Sequence, residues 1–369
     1  MEVSRTRLFF RYAGLAALLS LLFAFTVFVT GDTRKHLLGA SLLESIPRAE
    51  PMPAPQEVRA IYATARTVAN KHRVDELIAF AHATDMNAMV VNVKDGDGLY
   101  LDGEMSDLAH RLRAEGIYPI ARVVVFQDNY LARMWPEEAL KTASGTLWRG
   151  NGALWMDPAS RPVWDYTVEA AIEALDEGFA EVNFDYVRFP ADGDLHAIVY
   201  PAWNGTSTKA AVIDAFSKYL TENVKRAYPK ATLSLDIFAH SLLDAGDVGI
   251  GQHFVDLVQY FDVICPMTYP SHYAPGNFGF QNPAEAPYEV VKGTLDEGTR
   301  KLEAVGKTAI IRPWLQDFNM GAEYTRARVQ DEIRAVSDAG YKSGYMMWNP
   351  SNRYDKVKYI AGSETQAAR

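Results

Sequence analysis

The chain has 369 residues, 48% of them hydrophobic, which is enough for a sizeable core. Its formal net charge of -9 argues against nucleic acid as the main partner and is compatible with a neutral substrate. Cys265 is the only cysteine, so an intrachain disulfide and a cysteine-rich zinc site are both excluded.

Along the chain, Arg5, Arg7 and Arg11 precede Tyr12–Thr30, a run without a charge, and Asp32 follows. The run is close to the ~20 residues that span a bilayer as a helix. Basic residues ahead of it favour a cytoplasmic N-terminus. The expectation for residues 1–31 is a cytoplasmic tip and an uncleaved transmembrane anchor. A cleaved signal peptide is the rival, although its apolar core usually covers only about 7–15 residues. Either way the bulk of the protein lies outside the cytoplasmic membrane. Residues 32–57 read as a linker, with Pro47, Pro51, Pro53 and Pro55 favouring extended chain. The folded part is expected over residues 58–360, with a tail at 361–369.

From Val58 onwards strand-like and helix-like stretches alternate. The strand candidates are Val58–Thr64, Ala88–Lys94, Ile117–Phe126, Phe179–Arg188, Ala231–Phe238, Phe261–Tyr269, Lys307–Leu315 and Tyr341–Trp348. Helical patterns fall between them, for instance at Ser160–Glu177, Lys209–Ala227 and Glu323–Ala339. Eight such units predict an α/β fold, a (β/α)8 TIM barrel behind the N-terminal transmembrane helix. No Gly-x-Gly-x-x-Gly follows the first strand, which disfavours a dinucleotide-binding sheet.

Parity sorts the strand residues, because alternate side chains face the helices and the barrel interior. Val91 and Val93 oppose Asn92 and Lys94. Val182, Phe184 and Tyr186 oppose Asn183 and Asp185. Leu233, Leu235 and Ile237 oppose Ser234 and Asp236. Ile311 and Pro313 oppose Arg312 and Trp314. Polar residues therefore collect on the interior parity near the strand ends, where barrel active sites sit. A one-residue bulge in any strand reverses this sorting.

Ionised Asp is depleted in strands and rarely buried without a partner. Asp185 and Asp236, each near a strand end, therefore point to acid/base or nucleophilic work. Structural readings stand beside this one. Asp185 could brace Arg188 before Pro190, Asp236 could accept loop amides, and Lys94 and Arg122 could be ion-pair partners of those carboxylates. His240, His253 and His272 read as surface or loop residues, and no His-x-x-x-His pairing suggests a metal. Asp95-Gly96-Asp97-Gly98 lacks the later ligands of a calcium loop and reads as a turn. Gly293 to Thr299 has Walker-like glycine spacing, but Thr299 stands where the lysine is needed, and the stretch is helical.

Four segments carry a resemblance: Phe184-Asp185-Tyr186-Val187-Arg188-Phe189-Pro190, Ser234-Leu235-Asp236-Ile237-Phe238, Pro266-Met267-Thr268-Tyr269-Pro270-Ser271-His272-Tyr273 and Met347-Trp348-Asn349-Pro350. Together the chain resembles a bacterial glycoside-hydrolase-like domain of unknown function, a (β/α)8 barrel distantly related to α-amylase-type hydrolases. The resemblance spans roughly Val58 to Lys358. In α-amylase-like enzymes the fourth-strand nucleophile follows an arginine two residues earlier, and here that position is Asn183. Their fifth-strand acid is usually Glu, and here it is Asp236. Chitinase-like barrels would place acids at Ala180, Asn183, Asp185 and Val187, of which only Asp185 is present.

The resemblance implies glycoside hydrolysis by two carboxylates on an extracytoplasmic polysaccharide or oligosaccharide. Asp185 is the expected nucleophile or base, with Arg188 and Lys94 as counter-charges. Asp236 is the expected acid, in a drier pocket against Phe238. Lys94, Arg122, Arg188, Tyr269, Arg312, Trp314 and Trp348 are the expected substrate-binding residues, the aromatic ones by stacking on sugar rings. No cofactor or metal is implied. The rival from another class is a non-catalytic, membrane-tethered glycan-binding barrel.

Overall fold

The computed structural model describes residues 50–360. The proposed anchor Tyr12–Thr30, the first part of the linker and the tail at 361–369 lie outside the described residues. Among the described residues no helix is long and apolar enough to cross a membrane.

Eight parallel strands close on themselves: β1 Val58–Ala63, β2 Ala88–Asp95, β3 Tyr118–Val124, β4 Glu181–Asp185, β5 Thr232–Phe238, β6 Val263–Met267, β7 in two pieces at Ile310–Ile311 and Trp314–Gln316, and β8 Gly344–Trp348. β1 pairs with both β2 and β8, so the sheet has no free edge. Helices return the chain between strands: α1 Lys71–Ala83, α2 Gly103–Ala114, α3 Arg161–Asp176, α4 Lys209–Ala227, α5 Phe254–Leu257, α6 Pro287–Ala304 and α7 Arg326–Asp338. This is the TIM barrel. α3 starts where the Ser160 side chain accepts from the Val163 amide, with a proline in its first turn. α4 starts on a Thr208 cap in the same way. The fifth crossing holds only short helices, and β8 is followed by a single turn at Lys356–Lys358.

Two buried layers follow the parity of the strands. Val91, Val93, Val182, Phe184, Leu233, Leu235 and Ile311 pack outwards with Leu77, Leu112, Ala171, Leu220 and Leu295 of the helices. Val58, Ala60, Tyr62, Ala88, Val90, Tyr118, Ile120, Cys265, Trp314 and Met346 fill the barrel interior.

The observed strands are mostly shorter than the expected ones, and three of them carry an interruption that the sequence reading lacks. β4 stops at Asp185, because Tyr186 adopts a positive φ of 56° and lifts the next residues out of the sheet. Its amide is held there by the Asp185 Oδ1, 2.6 Å away. β7 breaks around Arg312 and Pro313, where proline has no N–H to offer the ladder. In β2 the register against β3 slips between Asn92 and Lys94.

Candidate active site

The carboxyl ends of β3, β4 and β5 bring Arg122, Asp185 and Asp236 together. Arg122 donates through Nη1 to the Asn92 Oδ1 at 2.7 Å and through Nη2 to the Asp185 Oδ2. Its Nε lies 3.8 Å from the Asp236 Oδ2. The guanidinium also faces the rings of Tyr62 and Trp348, at 5.7 and 5.5 Å. Burial opposes the Arg122 charge, but the fields of Asp185 and Asp236 outweigh it and raise its pKa. Contact with one guanidinium puts the nearest oxygens of the two carboxylates inside the roughly 9.5 Å upper limit for two-carboxylate glycosidases.

The two carboxylates differ in surroundings. Asp185 accepts from Arg122 through Oδ2 and from the Tyr186 amide through Oδ1. Asp236 is 1% exposed. Its Oδ1 accepts from the Trp314 Nε1 at 2.7 Å and the Asn183 Nδ2 at 2.9 Å. Its Oδ2 takes no hydrogen bond from any described residue. Burial, reinforced by the charge of Asp185, pushes the Asp236 carboxyl up to about 8, against the pull of Arg122 and of the two donors. Two neighbouring acids with such different environments are the pattern that separates an acid from a base.

A second charged layer lies deeper in the barrel. Arg312 donates to the Glu181 Oε1, and the Ser234 hydroxyl donates to the same oxygen at 2.6 Å. The Asn183 Nδ2 bridges the layers, donating to the Ser234 Oγ at 3.1 Å as well as to Asp236.

The structure assigns the expected site residues to different places. Arg122 meets both carboxylates. Trp348 stacks on Tyr62, with centroids 4.1 Å apart and planes 28° apart, beside the Arg122 guanidinium. Tyr269 lies at the end of β6, where burial and the nearby Asp236 and Asp185 raise its pKa. Lys94 is a correction. After the β2 bulge its ammonium binds the Asp128 carboxylate at 2.7 Å and the Val124 carbonyl, and it lies 5.7 Å from the Tyr166 ring on α3. It is not a counter-charge to Asp185. Arg312 is a second correction, since it is 2% exposed and committed to Glu181. Trp314 is a third: it is 1% exposed, nearly perpendicular to the rings of Tyr62 and Trp348, and donates to Asp236, so it positions that acid and offers no face to a sugar. Arg188 does not pair with Asp185. Its guanidinium sits among the rings of Trp155, Tyr186 and Phe238.

Tyr62, Asn92, Trp155 and Glu181 were not among the expected site residues. Parity signals three of them: Tyr62 shares the interior side of β1 with Val58 and Ala60, Asn92 that of β2 with Ala88 and Val90, and Glu181 that of Asn183 and Asp185. Trp155 follows a hairpin, Arg149–Gly150 with Ala153–Leu154, in the β3–α3 loop, and no periodicity marks it. Among the described residues no group of three or more His, Cys, Asp and Glu side chains could hold a metal ion.

The profile of a family described as "Putative glycosyl hydrolase domain" matches residues 60–354. The chain belongs to this family. No curated protein matches it. Among solved structures, a hypothetical protein from Ruminiclostridium thermocellum is 30% identical over 48% of this chain and 96% of that one, with a TM-score of 0.42. An alpha-galactosidase from Thermus thermophilus, solved with stachyose, gives 12% identity, a TM-score of 0.54, and coverage of 87% of this chain and 68% of that one. An alpha-L-fucosidase isoenzyme from Paenibacillus thiaminolyticus gives 13% identity and 0.52, with coverage of 82% of this chain and 48% of that one. At these identities the last two likenesses establish the barrel fold alone.

Proposed function

We propose that this member of the glycosyl hydrolase family cleaves an extracytoplasmic polysaccharide by a two-carboxylate mechanism. The observation that carries the reading is the Arg122 guanidinium shared by Asp185 and Asp236 at the mouth of the barrel. α-Amylase-like barrels carry an arginine two residues before the β4 carboxylate. Here Asn183 holds that position, and Arg122 reaches Asp185 from β3 instead. In the proposed reaction Asp236 protonates the leaving oxygen through Oδ2, the oxygen free of other donors. Asp185 attacks the anomeric carbon or takes the proton of an attacking water. Trp348 and Tyr269 border the sugar. Reducing-end release from a polysaccharide panel by the full chain, repeated with Asp185→Asn, tests this. Asparagine keeps the size but loses the nucleophile or proton acceptor, so turnover per folded molecule should fall at least ~1000-fold, a loss that the stability cost of breaking the buried Arg122–Asp185 pair does not account for. Equal turnover in the variant would end the catalytic assignment. A wild type that binds a glycan but releases no reducing ends would make the barrel a glycan-binding module.

We also propose that Tyr12–Thr30 anchors the chain with the barrel outside the cytoplasm, on the strength of its uncharged run behind three arginines. An alkaline phosphatase reporter fused after Pro55 should be active and membrane-bound. Activity released into the soluble fraction would refute the anchor, and an inactive reporter would refute the orientation.

A further inference from the structure

The loop that leaves β4 carries a cation that the two-carboxylate reaction does not use. Arg188 is 5% exposed. Its guanidinium lies 4.9 Å from the Trp155 ring, 4.9 Å from Tyr186 and 4.6 Å from Phe238. Its one hydrogen bond to a described residue runs from Nη1 to the Phe189 carbonyl at 3.1 Å. The other buried cations of the barrel each have a carboxylate: Arg122 has Asp185, Lys94 has Asp128 and Arg312 has Glu181. Arg188 has none within ion-pair distance among the described residues. Asp185 and Asp192 act on it only through space, and burial pulls its pKa down. None of its nitrogens is among the sealed, partnerless polar atoms of the interior, so its remaining donors open to solvent.

Aromatic faces offset part of the desolvation of a guanidinium and leave its planar fork of N–H donors unfilled. That fork fits a carboxylate by two parallel hydrogen bonds. Phe238 stands two residues beyond Asp236 on β5 and Tyr186 follows Asp185, so the cage is built from neighbours of the two carboxylates, and the field of Asp185 reaches the guanidinium. We propose that Arg188 is a specificity-determining residue that anchors a substrate carboxylate, so that the barrel takes an acidic glycan built from uronic acids. The proposal rests on the glycan reading above and names the class of sugar. When Asp236 carries a proton, Arg122 and Asp185 cancel, and Arg188 is the surplus charge at the mouth. The overall charge of -9 does not oppose this. It is screened beyond about 8–10 Å at physiological salt, whereas a contact ion pair in the mouth is not.

The test is equilibrium binding to the full chain carrying Asp185→Asn, so that a bound chain stays intact. The probes are oligomers of galacturonate, glucuronate and mannuronate, each beside its carboxyl-reduced neutral counterpart. At least one acidic oligomer should bind more tightly than its neutral form, and added salt should weaken that binding. Arg188→Met should lose roughly 10- to 100-fold in affinity for the acidic oligomer, as expected for charge-assisted hydrogen bonds, and little for the neutral one. Arg188→Lys keeps the charge without the fork and serves where the methionine variant fails to fold. It should lose most of the same preference. The proposal is overturned if no acidic oligomer outbinds its neutral form, or if the Arg188 variants weaken both equally. Selective binding of an acidic chain that wild type never cleaves would sink the hydrolase reading and leave this one standing. Cleavage of neutral chains without acidic preference would do the reverse.

Discussion

Asp236→Asn separates the chemistry of the site from its stability. In the fold, burial beside Asp185 moves the Asp236 carboxyl from 3.8 up to about 8. Between those values the folded chain holds a proton that the unfolded chain has released. The stabilisation is fully present below about pH 4 and is lost as pH rises towards 8, at up to about 1.4 kcal/mol for each pH unit. Asparagine imitates the neutral acid. Its oxygen can still accept from Trp314 and Asn183, and its amide nitrogen takes the place of the protonated Oδ2. At pH 5 the variant should lie within about 1 kcal/mol of wild type, the usual scale for a near-isosteric change. From pH 5 to pH 8 the gap should widen in the variant's favour by up to about 4 kcal/mol. Urea melts of both proteins at pH 5, 6, 7 and 8 measure this, and the difference cancels the shared groups other than Asp185, whose charge acts on Asp236. Activity should vanish in the variant, whereas in wild type it should fall as pH climbs through about 8 and the acid loses its proton. A gap that stays flat with pH, or one that widens towards acid, would show that Asp236 is not held neutral by the fold.

Three further substitutions probe the supporting structure. Lys94→Met leaves Asp128 buried without its partner and should cost about 3–5 kcal/mol in a urea melt. Activity per folded molecule should be unchanged, and a selective loss of turnover would return Lys94 to the site. Trp314→Phe removes a donor to the Asp236 Oδ1, so the acid should become weaker still and the alkaline limb of the pH–rate profile should move up. The accompanying stability loss should be about 1–3 kcal/mol, and an unmoved limb would refute the link. Gly344→Ala places a Cβ 1.9 Å from the Val58 carbonyl oxygen at a φ of +89°, on the seam where β8 meets β1. It should cost more than about 3 kcal/mol by thermal or urea unfolding, and a neutral result would mean that the β8–β1 seam yields to the added methyl group.

Much of the barrel was legible because its determinants are periodic. Outward Val and Leu alternate with inward polar residues on every informative strand. α4 spans Lys209–Ala227 as the pattern implied, and α3 sits between the Ser160 and Glu177 caps. What alternation cannot carry is a break in itself. The slip between Asn92 and Lys94 turns the ammonium towards Asp128 and α3, although its parity with Asn92 pointed inwards. The positive φ at Tyr186 ends β4 earlier than its apolar run suggests. Depth was equally invisible. Arg312, Trp314 and Trp348 share an inward direction, but Arg312 and Trp314 are sealed while Trp348 keeps some exposure. Loop contributions such as Trp155 depend on where a hairpin folds back, which no local pattern records.

The two charged layers are linked by a fixed hydrogen-bond polarity. The Glu181 Oε1 accepts from both Arg312 and the Ser234 hydroxyl. Ser234 has one proton, and Glu181 takes it, so the Ser234 oxygen can only accept from the Asn183 amide. The Asn183 nitrogen is thereby turned towards Asp236, where it joins the Trp314 N–H on Oδ1. An oxygen already receiving two donors is a poor place for a proton, so the proton of neutral Asp236 belongs on Oδ2, the side of Arg122 and Asp185. Removing either partner of the deep Arg312–Glu181 pair would leave the other buried and uncompensated. Its place in the barrel follows from what it does for the residues above it. It fixes which way Ser234 and Asn183 point, and through them which oxygen of Asp236 can give up a proton.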